Sequence, residues 1–167
     1  MPKIKQGIVI CHHPDNKPFL DDLLKSIDKT EYPIFVCEDG IDRPENSFEL
    51  GAIEEGSKYF EQFVFLQDSC VIKDISLFDK LFAIKGNVAL TPKFFHYMGK
   101  LSELPDEFPK VNDKEGSIRF ETTWLKLPYT SFEPELPVES KVFEEKYGRL
   151  NMVLENQYLI KYKARWQ

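Results

Sequence analysis

The sequence has no apolar run of about 18 residues, so no membrane-spanning helix is expected. Its start, MPKIKQGIVICHHPD, is basic, but the apolar stretch at 8–11 is too short for a signal peptide and reads as a first strand. Cysteine is scarce: Cys11, Cys37 and Cys70 are odd in number and far apart. That excludes a disulfide framework and a zinc spacing, and points to reduced thiols, small core residues of a cytoplasmic protein. Positive charge is in deficit, with 22 Lys and Arg against 28 Asp and Glu and a net charge of −6. Bulk attraction to a phosphate backbone is excluded, so any nucleic-acid contact needs a local basic patch. No Gly-rich phosphate loop of the Walker or dinucleotide type is present, which removes the kinase and dehydrogenase readings.

What remains is a chain of 167 residues, 42% hydrophobic and 14% aromatic, the composition of one globular domain with a full core. It shows no internal repeat and no domain boundary. The first half alternates strand and helix patterns. Residues 7–11 form an apolar run, and Pro14-Asp15-Asn16-Lys17-Pro18 offers a helix start with Asp15 or Asn16 as cap. Phe19, Leu23, Leu24 and Ile27 then recur at helical spacing. Residues 34–37 predict a second strand, Asn46-Ser47-Phe48-Glu49 a capping box, and residues 63–66 a third strand buried on both faces. This order implies an α/β fold with a mainly parallel central sheet and right-handed crossovers.

The second half is less regular. Residues 75–83 suggest a short helix or a turn, 87–90 a strand, 93–98 a short helix and 104–116 a loop. Residues 117–123 suggest a strand, 124–137 an extended stretch with three prolines, and 140–147 a short helix ended by Gly148. Residues 150–154 and 157–163 read as two strands around Glu155-Asn156, with a hairpin as one way to pair them, although Glu155-Asn156 is not a strong hairpin signal.

Ligands of parallel sheets bind at the carboxyl ends of the strands. Here those ends are Cys11-His12-His13, Glu38-Asp39-Gly40 and Gln67-Asp68-Ser69, and one sheet edge should gather them. Carboxylates placed so can hold a divalent cation, hydrogen-bond a nucleoside or act as a general base. Each also has a plainer account. Asp68 can cap the following turn, Asp39 can belong to an Asp-Gly turn, and His12 and His13 can be structural. His96, in the aromatic run Phe94-Phe95-His96-Tyr97, reads as a packed helix face. Lys161, Lys163 and Arg165 alternate with Tyr162 and Trp166, placing three cations on one side of a strand. They suit a diphosphate, a nucleic-acid acceptor or solvent.

The order of these elements resembles a small GT-A nucleotide-sugar glycosyltransferase of the family 2 kind, over about residues 6–100 of the chain. The residues that carry the resemblance are Val36-Cys37-Glu38-Asp39-Gly40, the small-residue helix Glu49-Leu50-Gly51-Ala52-Ile53-Glu54-Glu55-Gly56, and "FVFLQDS", which stands where the family has an Asp-X-Asp motif. The C-terminal "GRLNMVLENQYLIKYKARW" is similar to the tails of small phage-encoded members. The resemblance implies a three-layer GT-A-like domain over 1–167, with a nucleotide-sugar-binding half (1–100) and a reduced acceptor half (101–167). It implies a nucleoside-diphosphate sugar as donor and Mn²⁺ or Mg²⁺ as cofactor. Asp68 would be the metal ligand, with His12, Glu38, Asp39, Gly51, Lys161 and Lys163 around the nucleotide. By analogy Glu121, in "IRFETTW", or Glu155 would be the acceptor's base. The acceptor is open, modified DNA among the choices, and the setting would be the cytoplasm, that of the host cell for a phage protein. The motif here reads Gln67-Asp68-Ser69, so only the central acid remains. The alternative is therefore a catalytically degenerate GT-A-like protein that binds nucleotide or a partner without turnover.

Overall fold

The computed structural model of the chain describes residues 2–91, 98–108 and 129–164. Strand β1 (Ile4–His12) is followed by a 3-10 turn and helix α1 (Lys17–Ser26), with Pro18 in its first turn and Phe19, Leu20 and Leu23 on its buried face. Strand β2 (Ile34–Glu38), helix α2 (Phe48–Tyr59) and strand β3 (Phe60–Gln67) complete the β-α-β-α-β order expected from the sequence. Strand β1 lies parallel to both β2 and β3, and the register sets His12 opposite Glu38 and Cys11 opposite Gln67. The three carboxyl ends are therefore level with one another.

Residues 63–66 are fully buried on both sides of the sheet. Phe63 and Phe65 join the cluster under α2, with Val9 and Ile53, while Val64 and Leu66 join the opposite cluster with Ile8, Leu23 and Phe78. Period-two alternation sends successive side chains to opposite faces, and both faces are covered. Gly56 lets α2 lie close, since a Cβ there would meet Val9 Cγ2 at 2.7 Å.

Beyond β3 the chain departs from a simple parallel pattern. After β4 (Cys70–Ile72) and helix α3 (Ser76–Ala83) come β5 (Asn87–Ala89), β6 (Gly99–Leu101) and β7 (Tyr129–Ser131). The six-stranded sheet runs β2-β1-β3-β6-β5-β7, with β6 antiparallel to both β3 and β5. A second sheet, wholly antiparallel, runs β4-β10-β9-β8 and is built from β8 (Phe143–Lys146), β9 (Arg149–Glu155) and β10 (Leu159–Ala164). Its Leu154 and Leu159 pack into the cluster that also holds α1 and α3. The architecture is α/β with a mixed main sheet. Among the described residues no helix is long and apolar enough to cross a membrane.

The helix expected at 140–147 is instead strand β8. Lys146 pairs with Arg149, leaving Tyr147-Gly148 as a two-residue turn with φ of 53° and 79°. Two successive positive φ values are those of the tight hairpin turn that matches strand twist, and the ladder to β9 overrides local helix preference. The hairpin of β9 and β10 forms as the sequence suggests, and Asn156 Oδ1 closes it by accepting from the Tyr158 and Leu159 amides. The capping box at α2 does not form. Asn46 gives its amide to Asp39, Ser47 Oγ accepts from Arg43, and Glu49 turns to Gln67. Asn16 likewise makes no side-chain cap at α1. The expected strand at 117–123 and His96 lie outside the described residues. So do residues 93–97 of the expected short helix and parts of the expected segments 104–116 and 124–137.

Candidate ligand edge

Two backbone hydrogen bonds carry the sheet register past the strand ends. The Asp68 amide donates to Cys11 O at 3.1 Å, and the Asp39 amide to His12 O at 2.9 Å. His12, His13, Glu38, Asp39 and Asp68 are thereby brought to one edge, as the sequence predicts.

Asp68 is 4% exposed. Its Oδ2 accepts from His12 Nδ1 at 2.9 Å and from the His13 amide at 3.0 Å, while Oδ1 accepts from Asn16 Nδ2 at 3.0 Å. A carboxylate only accepts, so this hydrogen bond assigns the His12 proton to Nδ1. The other ring nitrogen, Nε2, faces Glu38 Oε1 at 3.6 Å. A chain of carboxylate, imidazole and carboxylate thus leads from buried Asp68 to Glu38, which is more open to solvent.

Asp39 is held by a second network. Its Oδ1 accepts from the Arg43 guanidinium at 2.9 Å and from the Asn46 amide at 3.0 Å, and its Oδ2 stands 4.0 Å from His13 Nε2. Arg43 is itself buried and donates to His12 O, Ser47 Oγ and Cys37 O. The Asp-Gly turn is real as well, with Gly40 at φ 75°. Gly51 sits beneath this network: a Cβ there would meet Ser47 Oγ at 2.0 Å, so its smallness serves the approach of the loop that carries Arg43. Burial pushes the thiol of Cys37 up to about 12, against the opposing pull of Arg43, and burial raises Cys11 too. Both cysteines are thus core thiols.

The residues flanking Asp68 have their own partners. Gln67 Nε2 donates to Glu49 Oε1 at 3.1 Å, tying β3 to α2. Ser69 Oγ accepts from the ammonium of Lys161 on β10, tying β3 to the second sheet. Lys161 is 5% exposed, and burial drives its pKa down, with Asp68 and Glu49 among the charges that partly restore it. The neighbouring Lys163 is half-buried, and Arg165 lies outside the described residues.

The structure does not bring Glu155 to this edge. It ends β9 six residues after Arg149, about 20 Å of extended strand away. There it forms a surface ion pair with Lys73 at 2.6 Å. Glu121 lies outside the described residues. Three residues absent from the predicted site do reach the edge: Asn16, Arg43 and Arg149. Arg149 donates to Asn16 Oδ1 at 3.1 Å and through Nε to Asn151 Oδ1 at 3.0 Å, with its guanidinium 4.3 Å from the Phe19 ring centroid. Arg43 carried a local signal, four residues after Asp39. Arg149 had none, because its partner lies 133 positions away.

A divalent cation on Asp68 was implied by the family resemblance. The donor set suits one poorly: N–H groups take three of the roughly four acceptor positions on Asp68, and the cations Arg149 and Lys161 lie within electrostatic reach of that carboxylate. Among the described residues, no group of three or more His, Cys, Asp or Glu is arranged to hold a metal. No family model, no curated protein and no solved structure matches this chain.

Proposed function

We propose that the chain binds a nucleoside-diphosphate sugar at the carboxyl edge of β1, β2 and β3 and transfers the sugar to an acceptor hydroxyl. The observation that carries this reading is the convergence of His13, Glu38, Asp39 and Asp68 from three level strand ends, with the His13 amide bonded to Asp68, Asp39 held by the Asn46 amide, and Glu38 3.6 Å from His12. Asp39, pre-oriented by Arg43 and Asn46, contacts the nucleoside. In the reaction the acceptor oxygen forms a bond to the sugar's anomeric carbon. The bond from that carbon to the diphosphate oxygen breaks, the nucleoside diphosphate leaves with the electron pair, and a carboxylate takes the acceptor's proton. That base belongs to the second half of the chain, where Glu121 is the remaining candidate.

One observation favours a second reading, nucleotide binding without turnover. Asp68 spends its carboxylate on holding His12, His13 and Asn16 together. Thermal unfolding with UDP-, GDP- and CDP-sugars tests both. At least one should raise Tm, and Asp39→Ala should remove the rise. Release of nucleoside diphosphate from the bound donor, with water as acceptor, marks the transferase; stabilisation without release marks the binder. If no nucleotide sugar changes Tm, neither reading stands.

A further inference from the structure

We infer that this edge holds the diphosphate of its ligand on the guanidinium of Arg149, with the ammonium of Lys161 behind it, and without a divalent cation. This rests on the nucleotide-sugar reading above and gives its anionic part a specific seat.

An ion held by both oxygens of Asp68 would displace His12, the His13 amide or Asn16, because Oδ2 already accepts twice and Oδ1 once. Releasing any of them would leave a buried donor unpaired, which is costly. What Asp68 does is pass its charge outward. Asn16 donates to Asp68 through Nδ2 and accepts from Arg149 through Oδ1, so one amide joins the carboxylate to the guanidinium. Arg149 is then fixed from two further sides, by Asn151 Oδ1 and by the face of Phe19. Its Nε and one terminal nitrogen are used, and the second terminal nitrogen makes no hydrogen bond to the described residues. A half-buried guanidinium held on one side with N–H groups free on the other suits a planar, two-point grip on phosphate oxygens.

Lys161 adds charge from behind. Its ammonium has three donors, and among the described residues Ser69 Oγ is its one hydrogen-bond partner. Burial opposes its charge, and the Asp68 and Glu49 carboxylates partly restore it. A divalent cation placed here would face both Arg149 and Lys161 across a medium that screens poorly. The second sheet therefore supplies the positive charge that a metal would otherwise bring.

Calorimetric titration of the full chain with UDP, GDP, CDP, ADP, the parent nucleosides and inorganic pyrophosphate, in EDTA and again in Mn²⁺, tests this. At least one nucleoside diphosphate should bind in EDTA, with affinity unchanged by Mn²⁺. Arg149→Met should weaken that diphosphate at least about tenfold while leaving the parent nucleoside unchanged, and Arg149→Lys should recover part of the loss. Binding that requires Mn²⁺, or diphosphate affinity indifferent to Arg149→Met in a variant that melts like the parent, overturns the inference and leaves the nucleotide reading standing. Pyrophosphate bound in EDTA through Arg149, with no selectivity for any nucleoside diphosphate, keeps the anion seat and removes the nucleotide. No binding of any probe removes both.

Discussion

The two sheets treat charge differently. The parallel end of the main sheet concentrates acids and histidines, and pairs them inward: Asp68 with His12 and Asn16, Asp39 with Arg43. The antiparallel sheet sends cations to the neighbours of Asp68, Arg149 to Asn16 and Lys161 to Ser69, while its far end carries the exposed pair Lys73–Glu155. Both sheets have ion pairs, but burial decides what each pair is worth. A buried charge left alone costs several kcal/mol, whereas an exposed pair contributes little. The molecule is thus stiff where acids and bases meet under cover and tolerant where they meet in water.

The largest effect should come from Asp68→Ala. It strands the His12 ring, the His13 amide and the Asn16 amide, and should cost about 3–5 kcal/mol in urea unfolding. A loss near that of a surface substitution would erase the contrast between the two ends. It also makes Asp68→Ala a poor probe of binding, which is why Arg149 serves as the probe of the anion seat.

Lys161→Met should move stability the other way. Replacing a desolvated ammonium with an apolar chain of similar length should stabilise the fold at pH 7 by about 1–2 kcal/mol while weakening anion binding. The pH dependence has a definite sign. The folded chain holds the Lys161 proton less tightly than the unfolded chain, whose lysine has the ordinary value of 10.5. Between the lowered value and 10.5 the unfolded state binds more protons, so the Lys161 contribution rises with pH across that window and is flat on either side. Comparing parent and Lys161→Met unfolding over this range should show that contribution vanish. A variant less stable than the parent at pH 7 would mean that the ammonium is a net support.

The smallest effect belongs to the outer pair. Lys73→Ala should change unfolding free energy by less than about 1 kcal/mol. Glu155→Gln should leave any sugar transfer unchanged. Transfer abolished by Glu155→Gln would restore that residue as the acceptor's base and shift the site toward the far end of β9.

How much of this was legible in the sequence follows the range of the interactions. The apolar runs at 7–11, 34–37 and 63–66 and the helical spacing of Phe19, Leu23 and Ile27 are local patterns, and they fixed the strand ends and hence His12, Asp39 and Asp68. Caps were less readable. Asn46, Ser47 and Glu49 fit a capping box by spacing, but tertiary partners outbid the helix start for all three. The β8 hairpin was hidden because Tyr147-Gly148 is a tight turn whose first residue is not one of the usual turn formers. The meaning of Gln67 and Ser69 was also unreadable. They flank Asp68 as two polar residues with no local partner in the sequence, yet each anchors a different layer, one to Glu49 and one to Lys161.

The bond from Arg149 to Asn16 also has a consequence for how the protein is made. The two residues stand 133 positions apart, so during synthesis the acidic edge emerges well before its basic clasp. At roughly 5–20 residues per second the delay is on the order of ten seconds, long compared with helix and hairpin formation. A nascent chain passes through an interval with its first three strands exposed to the cell and no Arg149 to close them, and a ribosome stalled before residue 149 would display that unfinished edge to chaperones.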